Sequence, residues 1–128
     1  MALLRRYWGF LALGLAILGW VTGTIVPAVI LTASVLALGY FLFQAPLWCG
    51  AVTRDNRLCR NNCSGLLIGC HLREHKWQKL KMLIIPKLWR DLNRGLWTSP
   101  RESVTTLGGL GSLISALAAV IAVLVTLK

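Results

Sequence analysis

A stretch of 41 residues without a single charged side chain, from Tyr7 to Leu47, constrains the fold more than any other feature. A helix crosses the roughly 30 Å hydrocarbon layer with about 20 apolar residues, so this run is twice as long as one span needs. A cleaved signal peptide is the competing interpretation, but its apolar region has only about 7 to 15 residues. With 56% hydrophobic and 14% charged residues, the chain is predicted to be a membrane protein.

The uncharged run contains a break that divides it into two helices. Between Trp20 and Pro27 the sequence reads WVTGTIVP, where Gly23 interrupts a helix and Pro27 suits the first turn of the next one. The pattern predicts a transmembrane hairpin of helices at about 8–22 and 25–46.

A third span is predicted at the other end of the chain. Ser99 is placed as an N-cap, Pro100 as the first helical residue and Glu102 as the acidic partner of a capping box. Residues 103–127 then carry no charge, and this segment is long enough to cross a bilayer with some tilt. The predicted fold class is therefore an all-α integral membrane protein with three transmembrane helices.

Basic residues indicate how these helices are oriented. Of the 14 Lys and Arg residues, all but Arg5, Arg6 and Lys128 lie between Arg54 and Glu102. The positive-inside tendency places the N-terminus and residues 48–98 in the cytoplasm and the C-terminus outside, in a multi-pass protein of the inner (plasma) membrane. Cytosolic thiols stay reduced, so metal binding is favoured over disulfides for the cysteines.

All four cysteines and both histidines lie within this middle segment. Cys49, Cys59, Cys70 and His75 are separated by nine, ten and four residues. Four soft or borderline ligands are what a closed tetrahedral Zn²⁺ site requires. The turn-forming residues between them predict a loop that a metal could order where an apolar core could not.

Residues 49–75 resemble a family of small bacterial and phage zinc-binding segments. The family pattern runs Cys-x-Ala-x-Thr, a turn glycine, a second Cys, and then a Cys followed closely by His. The matching positions here are Cys49, Ala51, Thr53, Cys59, Cys70 and a following histidine. Asn56 replaces the turn glycine, which asparagine tolerates because it accepts left-handed backbone geometry. The resemblance implies a zinc-binding fold and no activity.

The fourth ligand is open on sequence grounds. His71 adjoins Cys70, and neighbouring helical residues point in different directions, so His75 is preferred. Cys63 could instead complete a four-cysteine site. Without a metal, the thiols would be small, buried hydrophobic groups beside the membrane.

The letters HLREH also match the inverted zincin signature, with His71 and His75 as ligands and Glu74 as base. A metallopeptidase of this kind needs a further acidic ligand, and only Asp91 and Glu102 follow. No other catalytic arrangement is evident, so the chain is predicted not to be an enzyme.

Residues 76–98 predict an amphipathic, basic helix at the membrane surface, kinked or split at Pro86. Its predicted apolar face contains Trp77, Leu80, Ile84, Ile85, Leu88, Trp89 and Leu92, and its polar face contains Lys79, Lys87, Arg90, Asn93 and Arg94. Anionic lipid head groups are the expected partner. The apolar face disfavours nucleic acid.

Small residues recur every fourth position in the last span, as in Gly108, Ser112 and Ala116. Such ridges allow close helix contacts and predict a protein partner or a homo-oligomer. The predicted organisation is a transmembrane hairpin at 1–47, a zinc-binding knuckle at 48–75, an interfacial helix at 76–98 and a C-terminal transmembrane helix at 99–128.

This organisation predicts a small membrane accessory or interaction protein whose cytosolic zinc module and surface helix organise a partner or a homo-oligomer. A small pore-forming, holin-like oligomer is the alternative. A membrane-tethered nucleic-acid binder and the metallopeptidase are less favoured.

Overall fold

The computed structural model describes residues 2–128, except for the side chains of residues 2, 3 and 5. Most of these residues are helical, with two short strands in the middle of the chain. In chain order the elements are α1 (Ala2–Thr22), α2 (Pro27–Phe43), β1 (Pro46–Trp48), β2 (Asn62–Ser64), α3 (Arg73–Ile84), a 3-10 turn (Pro86–Leu88), α4 (Trp89–Leu96) and α5 (Pro100–Thr126).

The chain divides into two compact units. The helical unit comprises Met1–Phe41 and Leu107–Lys128, and the knuckle unit comprises Leu42–Thr106. The helical unit thus contains α1, nearly all of α2 and most of α5. The knuckle unit contains every cysteine and histidine of the chain.

The prediction of three membrane-spanning helices is wrong. Among the described residues, α5 alone is long and apolar enough to cross a membrane, with 27 residues. The backbone of α1 is kinked at Tyr7, and its remaining apolar part, Arg6–Thr22, is no longer than α2, which has 17 residues. At about 1.5 Å per residue, 17 residues reach only about 26 Å, less than the roughly 30 Å of a hydrocarbon layer.

Small side chains form the interior of the helical unit. Ala16, Ile30, Ala33 and Ala119 form a buried cluster that joins α1, α2 and α5. Small residues bring helix backbones close together, so a few alanines suffice where a soluble core would need larger side chains. The small residues predicted to face a partner therefore serve in part as internal packing surface.

Hydroxyl groups join the same three helices. The Ser34 and Ser115 Oγ atoms lie 2.7 Å apart, and the Trp20 indole donates to Ser115 Oγ at 3.0 Å. Ser112 is fully buried, and its hydroxyl donates a hydrogen bond to the Gly108 carbonyl at 2.8 Å. Each of these polar side chains has a hydrogen-bond partner inside the apolar unit.

Two proline positions agree with the sequence prediction. Pro27 begins α2, and Pro100 begins α5. Ser99 donates its hydroxyl to the Glu102 carboxylate, whose other oxygen accepts the Trp48 backbone N–H at 3.3 Å. Glu102 is buried, so the first turn of α5 is fixed to the strand β1 by its acidic side chain.

The basic segment contains two helices, so it is split near Pro86. The bend predicted at Pro86 is present, because α3 ends at Ile84 and α4 begins at Trp89 after the 3-10 turn. Lys79, predicted on the polar face, is instead 7% exposed, and its ammonium donates to Cys63 Sγ at 3.9 Å. Cys63 therefore contacts a side of α3 that the helical wheel assigned to solvent.

Candidate metal centre

The metal-binding candidates lie around a two-stranded antiparallel sheet. In that sheet Leu47 pairs with Cys63 and Trp48 with Asn62. Gly65, just after β2, has a φ of +76°, and a side chain there would collide with the Leu42 carbonyl. Glycine is needed at this position both for its backbone conformation and for the close approach.

A tight backbone hairpin brings Cys49 and Cys59 together. Cys49 N–H donates to the Asn61 carbonyl at 2.8 Å, and Gly50 N–H donates to the Cys59 carbonyl at 2.9 Å. Cys59 N–H in turn donates to the Ala51 carbonyl at 2.8 Å. These bonds explain why two cysteines separated by nine residues present their side chains to one site.

The tip of this hairpin is closed by a polar turn. Thr53 N–H donates to the Arg57 carbonyl at 2.8 Å, and the Thr53 hydroxyl donates to the same carbonyl at 2.9 Å. Asn56 has a φ of +57°, which is the left-handed conformation expected where the zinc-binding family has glycine. Thr53 and Asn56 therefore stabilise the turn and do not belong to the group of candidate ligands.

The other two candidates come from the entry into α3. Gly69 lies so close to this helix that a Cβ would be 2.8 Å from the His75 backbone. His75 N–H donates to the Leu72 carbonyl at 3.1 Å, in the first turn. Cys70 before the helix and His75 within its first turn therefore face the hairpin from the same side.

The structure brings Cys49, Cys59, Cys70 and His75 together, with one ligand atom from each within 4.8 Å of all the others. His75 Nδ1 lies 3.2 Å from Cys70 Sγ and 3.8 Å from Cys49 Sγ. A tetrahedral zinc ion with Zn–S distances of about 2.3 Å holds its ligand atoms about 3.5 to 3.8 Å apart. The cluster could therefore bind a metal ion with small side-chain adjustments.

The two alternative ligands lie elsewhere. Cys63 packs against the edge of the cluster, but its Sγ contacts the Gly65 carbonyl at 3.7 Å and the Lys79 ammonium. His71 is exposed and precedes α3, so it does not share a helical face with His75. The helical arrangement needed for the inverted zincin signature does not form.

Comparison of the chain with protein-family models, with characterised proteins and with solved structures finds no match. No family is assigned. The resemblance of residues 49–75 to zinc-binding segments is therefore supported only by the cluster of three cysteines and one histidine that the structure contains.

Burial acts on the thiols in different ways. Desolvation raises the pKa of Cys49 to about 11, although backbone amides of Cys70 and Ala51 oppose it. The Cys70 N–H donates to Cys49 Sγ at 3.4 Å, an arrangement that favours a thiolate at this sulfur. Burial also acts to raise the pKa of Cys70, but the Leu72 backbone amide and the neighbouring thiols outweigh it, so this pKa is lowered.

The metal-free and metal-loaded chains are expected to respond to pH in opposite directions. The pKa of Cys49 is raised from 9.0 to about 11 in the metal-free fold. Its neutral thiol therefore stabilises that fold below pH 9, and this stabilisation is lost as the pH rises toward 11. A metal needs deprotonated cysteine and neutral histidine, so the loaded fold should fail on acidification instead.

Thermal unfolding of both forms between pH 5 and 11, with a thiol-compatible reductant present, measures this difference. Identical pH profiles with and without added zinc would contradict it.

Proposed function

We propose that this chain is a non-enzymatic, membrane-anchored interaction protein in which a zinc ion fixes the knuckle unit and thereby the surface presented by α3 and α4. The observation that carries the proposal is the convergence of Cys49, Cys59, Cys70 and His75 on one point. Two of these residues belong to the hairpin, and His75 belongs to α3. A bound metal would therefore hold the helix against the loop.

Zinc is the ion that this donor set favours. Three thiols and one imidazole suit Zn²⁺, which prefers tetrahedral sulfur and nitrogen ligands in structural sites. All four positions would be filled by protein, which leaves none for water or substrate. Such a site stabilises a fold and does not activate a nucleophile, and this supports a structural role over a peptidase.

A membrane anchor is supported by α5 and by the surface of the helical unit. Large apolar side chains remain exposed along α5, including Leu110, Ile114, Leu117 and Ile121. Exposed apolar surface on this scale is typical of a protein region that contacts lipid or another protein. We place the knuckle unit on the cytoplasmic side, where its thiols stay reduced and can bind zinc.

The surface of α3 and α4 provides the contact for a partner. Trp77, Ile84 and Trp89 are 58%, 68% and 57% exposed, and basic residues such as Lys76 and Arg90 are exposed on the same two helices. Tryptophan beside lysine and arginine is typical of a helix that lies in a membrane interface. Anionic lipid head groups would hold this surface close to the bilayer, where it would meet a protein partner or a second copy.

Photo-crosslinking in the native membrane tests the proposed role. A photoreactive amino acid in place of Trp77 or Trp89 should yield a discrete protein adduct, and the added substitution Cys59→Ser should abolish it because the helices lose their support. The same amino acid in place of Arg54, at the tip of the hairpin, serves as the matched control. Adducts that are equal at all three positions, or unaffected by Cys59→Ser, would refute the proposal.

A further inference from the structure

A cleft of about 750 Å³ opens within the knuckle unit. One wall is the hairpin between Gly50 and Arg60, and the other is α4 with the first turn of α5. The backbones meet at its base, because a Cβ on Gly95 would lie 3.2 Å from the Gly50 carbonyl oxygen. Two glycines therefore allow the hairpin and α4 to form one continuous pocket.

The lining of this cleft is rich in guanidinium groups. Arg57 and Arg60 enter it from the hairpin and Arg94 from α4, against the two carboxylates Asp91 and Glu102. Glu102 is already engaged by the Trp48 backbone N–H and the Ser99 hydroxyl. Among the described side chains, none of the three arginines forms an ion pair with an acidic group within 4.0 Å.

Trp48 adds a flat surface to the same cleft. The Arg60 guanidinium carbon lies 5.8 Å from the centroid of the Trp48 ring, which positions this cation without consuming its hydrogen-bond donors. The three guanidinium groups come from the two walls of the cleft. Their N–H groups can donate hydrogen bonds to an oxyanion from both sides. The planar donor pairs of arginine match the oxygens of phosphate in particular.

From these features we infer that the cleft binds a phosphate ester. The guanidinium groups of Arg57, Arg60 and Arg94 would receive the phosphate oxygens, and the remaining volume would hold the alcohol part of the ester. The ester could be a phospholipid head group, because Glu102 in the cleft belongs to the first turn of α5, the helix that is long and apolar enough to cross a membrane. It could also be a soluble phosphate compound. The inference rests on the proposed function, since the metal-held hairpin forms one wall.

Isothermal titration of the full zinc-loaded chain in neutral detergent tests this inference, with glycerol 3-phosphate as the soluble probe. Saturable binding is expected, and Arg94→Gln should weaken it about tenfold because one charge-assisted contact is lost. Arg90→Gln is the matched control, since Arg90 lies on the same helix but outside the cleft. Asp91→Asn should strengthen binding severalfold, because a repelling carboxylate is removed.

A second titration with micelles containing phosphatidylglycerol identifies the source of the phosphate. Tighter binding to these micelles than to glycerol 3-phosphate, with the same sensitivity to Arg94→Gln, assigns the site to a lipid head group, and the reverse order assigns it to a soluble ester.

Absence of saturable binding to both probes, or equal weakening by Arg94→Gln and Arg90→Gln, would overturn the inference. The zinc content of the same sample shows separately whether the proposed function fails with it.

Discussion

Cys59→Ser is expected to convert residues 48–75 from a folded segment into one that trypsin cuts rapidly. Structural zinc in small domains contributes about 10 to 16 kcal/mol of apparent binding free energy. Loss of one ligand removes much of this binding free energy. The buried cluster at the site consists of Cys49, Ala51, Cys59 and Cys70, whose small side chains provide little apolar surface. Cleavage after Arg54 and Arg57 in the hairpin should therefore accelerate by well over an order of magnitude.

The matched control for this substitution is Cys63→Ser. Cys63 lies beside the cluster but contributes no atom to it, so trypsin resistance should change little. Treatment of the wild-type chain with a strong chelator should reproduce the effect of Cys59→Ser. Equal trypsin resistance in the two serine variants would show that the thiols act only as small packing groups.

Ile114→Arg is expected to prevent stable insertion of α5 into a bilayer. Ile114 lies near the middle of the helix and is 66% exposed, so arginine can be accommodated without disturbing the interior of the helical unit. An arginine at the centre of a membrane-spanning helix costs about 2.5 to 3.5 kcal/mol on insertion scales. The fraction of chain that resists alkaline extraction from membranes should fall sharply.

Ile114→Ala provides the matched control, because it shortens the same side chain without adding charge, and it should remain in the membrane pellet. If α5 were instead a helix exposed to water, Ile114→Arg would change stability by less than about 0.5 kcal/mol and would not alter extraction. Equal extraction of the two variants would therefore argue against the proposed anchor.

The sequence was most informative where chemistry fixes local structure. Pro27 and Pro100 each mark the start of a helix, and Pro86 marks the break between α3 and α4, because proline lacks the backbone donor that a helix interior needs. The four candidate ligands were also predicted as one group, and the structure brings them within metal-binding distance of one another.

The number of spans could not be read from the uncharged run. Its length includes the turn before Pro27 and the first two residues of the strand β1, and neither is part of a helix. An absence of charged residues indicates that a segment lies in apolar surroundings. It does not indicate where a helix ends. The apolar residues of β1 serve the knuckle unit, in which Leu47 is buried.

Two features of the knuckle unit depend on tertiary contacts that a helical wheel omits. Lys79 was predicted on the polar face of the surface helix, yet it is buried beside Cys63. The cleft with Arg57 and Arg94 unites residues far apart in sequence, at a point where Gly50 and Gly95 approach closely. Both glycines look like ordinary turn residues in the sequence.

Elemental analysis of the purified full chain tests the central claim, that a metal ion holds the knuckle unit, most directly. The wild-type protein and Cys63→Ser should each contain about one equivalent of zinc, as expected for a closed four-ligand site, whereas Cys59→Ser and His75→Ala should lose it. Less than about half an equivalent in the wild type, or zinc content unchanged by Cys59→Ser, would contradict the account.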